Sequence, residues 1–337
     1  MRKALLFGAS VPLVLFLGTD ATSISSGIFP NSTVTVNAQN YAVGALTRHS
    51  SNSCGGSASV TVCHSASPFL TKVAVAVGLR VLPVQGTTAI NITGTNAGVS
   101  GTRGGFCADV TGGMLVPGTN TQTNASGNAI THQNAFATGR SWTFTFNAGA
   151  TPGLVELYTV VNCVDGDGRA GGADQWAFNS SKVLADDCTP VRLFVNAPGV
   201  TATGDGCADG YGNYSVLGSA TTPNIGNSQF AVEAHGLPPQ SAALVMLSLG
   251  ANPPPFDMAP LGAPGCVLRT AMQFQLGAIT GPGDAVRSEG KMTLPIPIPN
   301  DSTLRGLVIA MQVGAIDLKP IRAFPMVVTN GIEIKLQ

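Results

Sequence analysis

The sequence predicts an all-β fold, with two consecutive β-sandwich domains behind an export signal. Three observations lead there. The chain carries 42 glycines and 22 prolines among many Val, Thr and Ser, a composition suited to short strands joined by tight turns. The run from Ser141 to Phe146 alternates apolar and polar residues with a period of two, as a half-buried strand does. Before residue 190 no apolar run has helical period, length and caps, and 337 residues suffice for two domains of ordinary size.

The elements follow in order. Arg2 and Lys3 precede an apolar run from Ala4 to Leu17, and Gly18-Thr19-Asp20-Ala21 offers small residues to a signal peptidase, so residues 1–21 read as a signal peptide. The run is too short for a permanent span, which needs about 20 residues, and no later segment suits one. Strands are expected at Lys72–Val77, Thr88–Thr93, Gly105–Val110 and Leu154–Val161. Ser141 to Phe146 alternates strictly, placing Trp142, Phe144 and Phe146 on a core face and Ser141, Thr143 and Thr145 toward solvent. Val191–Val195 closes the first unit or edges the linker. Breakers at Pro198-Gly199 and Thr203 to Gly206 set the division: residues 22–190, a linker at 191–203, and 204–337. The second unit has strand patterns at Gln229–His235, Ala243–Leu249, Met272–Leu276, Lys291–Ile296, Gly306–Val313 and Met326–Leu336. Its proline tracts, Pro253 to Pro255 and Pro295 to Pro299, belong to edges and connections. Asn300 to Leu304 suits a single capped turn of helix.

The 17 basic and 17 acidic residues cancel, and charged residues make up 10% of the chain. A neutral chain without basic clusters lacks the footprint for nucleic acid or an anionic membrane. With 44% apolar residues it is not a solvated disordered chain either. Seven cysteines in an exported chain imply disulfides and one thiol left over. Local context suggests Cys54 with Cys63, Cys107 with Cys163 and Cys207 with Cys266, leaving Cys188 odd.

The first unit resembles the bacterial surface modules called the choice-of-anchor V domain, themselves distantly similar to the Reeler domain. The resemblance rests on Cys63-His64, Gly104-Gly105-Phe106, Ala129-Ile130-Thr131-His132 and the Trp142 to Phe146 strand. Asn162 to Gly168 and Gly171 to Trp176 complete it, over about residues 40–180. It implies a secreted, Ig- or Reeler-like β-sandwich without an assigned activity. Where that group often shows Cys-x-x-Cys-His, this chain opens the motif by inserting Gly55 to Val62. The second unit resembles a β-sandwich module of secreted planctomycete and myxobacterial proteins, through Gly204 to Cys207, Pro223 to Asn227, Pro264 to Leu268, Ile298-Pro299-Asn300 and Met311-Gln312. That resemblance implies no chemistry.

Four constellations bear on chemistry. Cys63-His64 is the closing half of a c-type haem attachment site, but eight residues separate Cys54 from Cys63 where the motif has two. In a haem reading Cys54 and Cys63 bind the porphyrin, His64 is proximal and His132 is the sixth ligand. The plain alternative is a disulfide staple with a surface histidine. Cys63, His64 and His132 also form a candidate copper or zinc set. Asp165, Asp167 and Asp174 are candidate calcium ligands in a Gly-rich loop, as Asp205 and Asp209 are in another; the plain alternative is a hairpin whose aspartates satisfy its backbone. For hydrolysis the chain has neither a Gly-x-Ser-x-Gly elbow nor a histidine in a signature. The leading reading is a secreted or cell-surface, non-catalytic binding or structural protein without a cofactor, acting on an extracellular ligand or surface component. The alternative is a single-haem redox protein. The polar segment from Asn120 to Asn128 is either a binding loop or a solvated connection.

Overall fold

The computed structural model describes residues 29, 33–36, 39–42, 71–99, 101–134, 139–165, 174–179 and 188–337. Among these the chain is all-β, relieved only by single turns of 3-10 helix at Ala259–Leu261 and Ser302–Leu304. Near the N-terminus β1 (Thr33–Val36) pairs antiparallel with β2 (Gln39–Ala42).

The first unit follows with β3 (Thr71–Val77), β4 (Val81–Pro83), β5 (Thr87–Asn96), β6 (Arg103–Val110), β7 (Met114–Val116) and β8 (Thr121–Thr123). It is completed by β9 (Ala129–His132), β10 (Ser141–Asn147), β11 (Gly153–Val164), β12 (Gln175–Phe178) and β13 (Val191–Asn196). One sheet has the order β3-β5-β10-β7, and the other β4-β13-β11-β6-β9-β8 with β12 also on β11. Only β4 and β13 run parallel within this unit. The two sheets close on a shared core because their strands alternate. Trp142, Phe144 and Phe146 point inward with Ile90 and Ile92, against Phe106, Leu157, Val161 and Leu193 of the opposite sheet. The rings of Phe106 and Trp142 stack with centroids 4.8 Å apart.

The second unit contains β14 (Val200–Thr203), β15 (Val216–Gly218), β16 (Ala231–Leu237), β17 (Ala242–Leu249), β18 (Phe256–Asp257) and β19 (Val267–Leu268). Then come β20 (Phe274–Ile279), β21 (Gly290–Pro295), β22 (Val308–Ile316), β23 (Met326–Val328) and β24 (Gly331–Lys335). The order β14-β24-β22-β17-β20 packs across a core from β15-β16-β21, and β18 pairs β19 separately. The expected run Met326–Leu336 follows β22 along most of its length, but a bulge divides it. Met311 faces Ile332 while Gly314 faces Val328, so the register slips by one residue at Thr329 and Asn330. The slip frees the Asn330 side chain, which accepts from Leu217 N–H at 2.8 Å and donates to Leu217 O at 2.9 Å, tying the bulge to β15. At Ser302 the expected capped turn is present: Asp301 accepts a hydrogen bond from Thr303 N–H at 2.9 Å.

Residues 191–203 hold β13 and β14, joined through Ala197–Gly199, with all six residues of β13 buried. The units meet where Phe194, on the outer face of β13, packs with Val81 and Val216. Gly218 allows this, because a side chain there would overlap the Phe194 ring. Polar contacts surround the ring. Ser219 N–H donates to Asn196 at 3.0 Å, Ala197 N–H to Ser219 O at 2.8 Å, and Arg192 to Arg287 O at 3.1 Å. The Arg80 guanidinium lies 4.2 Å from the centre of the Tyr214 ring.

Cys207 and Cys266, 59 positions apart in sequence, form the expected disulfide. The expected Cys107–Cys163 pair does not form, and both are buried free thiols, as is Cys188. Register explains the correction: Cys107 lies opposite Val160 and Cys163 opposite Gly104, an odd offset that sends the sulfurs to opposite faces of the sheet. Cys54 and Cys63 lie outside the described residues. Closing a loop of this length with a disulfide limits the unfolded chain by roughly 4 kcal/mol in the chain-entropy model. Replacing Cys266 by Ala is therefore expected to lower unfolding stability by about 2–4 kcal/mol. Denaturant titrations with and without reductant check this, with the wild type falling to the variant's level once reduced.

Candidate functional site

Of the positions predicted for chemistry, His132, Asp165 and Asp174 are among the described residues. Cys54, Cys63, His64 and Asp167 lie outside the described residues. His132 ends β9 with its ring over Gly105, where a Cβ would come within 2.5 Å of the imidazole. Its Nδ1 lies 3.2 Å from Phe106 N and 3.3 Å from Phe106 O, whose carbonyl also accepts from the Thr131 hydroxyl at 2.6 Å. Burial pushes the imidazole below its ordinary pKa, with the Phe106 carbonyl acting in the opposite direction. His132 thus fills the space above a glycine.

Asp165 and Asp174 lie together, since Asp165 N–H donates to the Asp174 carboxylate at 3.2 Å. Asp174 is buried. Among the described residues no three His, Cys, Asp or Glu side chains gather as a metal site would require. In the other acidic run, Asp209 accepts from Tyr211 N–H at 2.9 Å, Asn213 N–H at 2.8 Å and the Ser288 hydroxyl. Its oxygens brace the loop. Asp205 accepts instead from Arg80 N–H at 3.3 Å, across the junction of the units.

A concave site lies elsewhere, along β10. Pairing of β10 with β7 covers only Thr145 to Asn147, ending at Thr145 with Val116. Beyond that point the segment Gly118–Asn120 no longer pairs with the strand, and together they line a groove of about 490 Å³. Its far side is Ser141–Thr145 and its end is Gly139. The loop is braced internally: Gly118 N–H donates to the Thr121 hydroxyl at 2.8 Å, which donates back to Gly118 O at 3.1 Å. Asn120 takes the left-handed conformation at φ 59°, and its carbonyl accepts from Gln133 N–H at 2.8 Å. A Cβ at position 118 would overlap the Thr143 carbonyl, so only glycine allows this close approach.

The outward row of β10 is ordered as well. Asn91 on β5 donates to the Ser141 hydroxyl at 3.1 Å and the Thr143 hydroxyl at 2.8 Å, and accepts from Thr93 at 3.1 Å. The hydroxyls are thus held on a rigid sheet, as preorganised binding requires. Among the described residues the lining contains no charged side chain, and its rings, Trp142 and Phe144, are turned into the core. Such a surface offers hydrogen bonds without Coulombic attraction. Alternation made the hydroxyl row legible in the sequence. The loop was only partly so, through the polar run beginning at Asn120; the overlap at Gly118 depends on a contact between residues distant in sequence.

No family model matches the chain, and no curated protein does. Among solved structures it is similar to the Reelin-N domain of F-spondin, at 14% identity over 34% of this chain and 90% of that one, with TM-score 0.25. The human F-spondin reeler domain (fragment 1) gives 13% identity over 34% and 94%, with TM-score 0.24. The Yersinia pseudotuberculosis adhesin InvE gives 16% identity over 80% of this chain and 60% of that one, with TM-score 0.21. At these values the likenesses carry no functional inference.

The burial of His132 has a measurable consequence. With a folded pKa below that of the unfolded chain, the unfolded state binds the extra proton first on acidification. Stability is then fully present above about pH 6.5, the unfolded value, and is lost as pH falls through the folded pKa. His132→Gln is expected to flatten that part of the stability–pH curve. Chemical denaturation of both proteins at a series of pH values checks the slope.

Proposed function

We propose that the chain is a secreted, non-catalytic binding protein of the cell surface or extracellular space, and that the β10 groove receives its ligand. One observation carries this reading: among the described residues the groove presents ordered hydroxyl, amide and backbone groups and no charge. A neutral, polyhydroxylated polymer matches that surface in chemistry. Such a ligand exchanges hydrogen bonds with water for hydrogen bonds with Ser141, Thr143, Thr145 and Asn120 and leaves no charge unmatched. With no exposed ring among the described lining residues, affinity depends on several weak contacts along a chain. The export signal in residues 1–21 supports an extracellular setting. Among the described residues no helix is long and apolar enough to cross a membrane. The choice-of-anchor V assignment belongs to the same proposal and rests on the motifs quoted above.

Affinity electrophoresis in gels containing a soluble neutral polysaccharide (dextran, xylan or a mixed-linkage glucan) tests the groove. The wild-type protein is expected to be retarded by at least one polymer. Thr143→Arg, which fills the groove with a charged side chain, should reduce the apparent affinity about tenfold or more, for a loss of about 1.4 kcal/mol. Unchanged migration in every neutral polymer, or equal retardation of a folded Thr143→Arg variant, would overturn the assignment.

A further inference from the structure

Sheet edges expose unpaired backbone groups that other strands can recruit, and proteins usually shorten, cover or charge them. Most edges here are managed in those ways. The β3 edge is met by β12, with the Thr71 hydroxyl donating to Gln175 O at 3.1 Å. Strands β4, β14 and β15 come together at the junction of the units. Strands β7 and β8 have three residues each. The β21 edge carries Lys291 and closes on Pro295.

Strand β20 is different. Among the described residues it pairs only with β17, and no charged residue occurs from Thr270 through Gly283. Phe274 is 55% exposed, Leu276 50% and Ile279 76%. Its hydrogen-bonding parity follows from one bond: Thr280 N–H donates to Ser241 O at 2.9 Å. The even residues of β20 therefore bond to β17, while Gln275, Gly277 and Ile279 direct both N–H and C=O outward. Open space surrounds Gly277, with no atom within 4 Å of its Cβ position.

We propose that β20 is a homodimerisation strand, pairing antiparallel with β20 of a second copy about a two-fold axis. Such a contact must be complementary to itself. A neutral strand on a chain with 17 basic and 17 acidic residues meets its own copy without like-charge repulsion. A strongly charged partner would instead leave its charges unmatched along this edge. Only registers that place odd residues opposite odd residues form bonds, so Phe274 and Leu276 of both copies fall on one face and make a continuous apolar stripe. An antiparallel two-fold pairing consumes both free edges, so assembly stops at two chains.

Sedimentation velocity of the intact protein, from dilute to concentrated solution, tests the proposal together with amide exchange. The expected result is a monomer–dimer equilibrium in which the amides of Gln275, Gly277 and Ile279 become protected as concentration rises. The amides of Phe274, Leu276 and Ala278, bonded within the subunit, should be protected throughout. Ile279→Lys puts a charge on the edge, and Gln275→Pro removes only an outward N–H. Each is expected to abolish the dimer while leaving circular dichroism and the thermal midpoint of the dilute protein unchanged. A wild-type protein that stays monomeric, a dimer that survives both substitutions, or open-ended growth would overturn the proposal. Because the wild-type measurements stand alone, a variant that failed to fold would not protect the idea.

Discussion

Burying one face of each sheet against another, while successive side chains leave a strand on opposite sides, gives every position in this molecule a parity, and most of its properties depend on that constraint. On β10 the even residues Trp142, Phe144 and Phe146 fill the core, which leaves the odd residues Ser141, Thr143 and Thr145 to form the outer row beside the groove. On β6 and β11 the same rule separates Cys107 from Cys163, although their strands are neighbours. On β13 it turns Leu193 inward and Phe194 outward, where Phe194 becomes the contact between the units. On β20 it decides which amides remain unpaired. A slip of one residue in any of these strands would exchange core for surface.

The junction shows how two sandwiches become one body. A short, flexible connection would let the units move independently. Here the chain leaves β13 at Asn196 and enters β14 at Val200, leaving three residues, Ala197 to Gly199, for the crossing. Phe194 lies against the bare backbone of Gly218, and Asn196 holds Ser219 N–H. Arg192 is buried between Glu156 of the first unit and the Arg287 carbonyl of the second. Its desolvation lowers the guanidinium pKa, and the opposing influence of Glu156 and Glu289 compensates a charge that would otherwise be costly to bury. Apolar packing at the centre with hydrogen-bonded charge at the rim is the pattern of a stable interface.

Much of this fold was legible in the sequence because alternation is a local signal. The strand around Trp142 follows from it, and those around Leu157, Val245 and Val313 follow from apolar runs bounded by turn residues, which are local signals too. Short strands such as β7, β8 and β15 escaped, since three residues carry too little pattern to distinguish from a turn. The stretch from 191 to 203 was less legible for a different reason. Gly199 and Gly204 punctuate the chain as breakers do, yet Val191 to Asn196 is buried on both faces, one against its own core and one against the neighbouring unit. A continuous apolar run records burial without saying by what. Cysteine pairing depends likewise on register, which residue types and spacing do not contain. The candidate site divides along the same line. Its hydroxyl row could be read from alternation, whereas the approach of Gly118 to Thr143 is a product of the fold.

Low charge unites the two surfaces assigned to binding and assembly. With 10% of its residues charged, the chain has few means of repelling copies of itself at long range. Selectivity must then come from short-range geometry: covered edges, ordered hydroxyls and hydrogen-bond parity. The groove and β20 lie in different units and use different chemistry. One holds hydroxyls fixed by Asn91, while the other combines apolar side chains with unpaired backbone groups. Because β20 lies in the second unit and the groove is built from β10 and its loop in the first, pairing through β20 leaves the groove's own residues outside the contact. Two copies joined at one strand would therefore present two grooves on a shared scaffold. For a repetitive polymer, that arrangement converts weak individual contacts into a stronger combined one, provided the spacing of the grooves matches the reach of the chain.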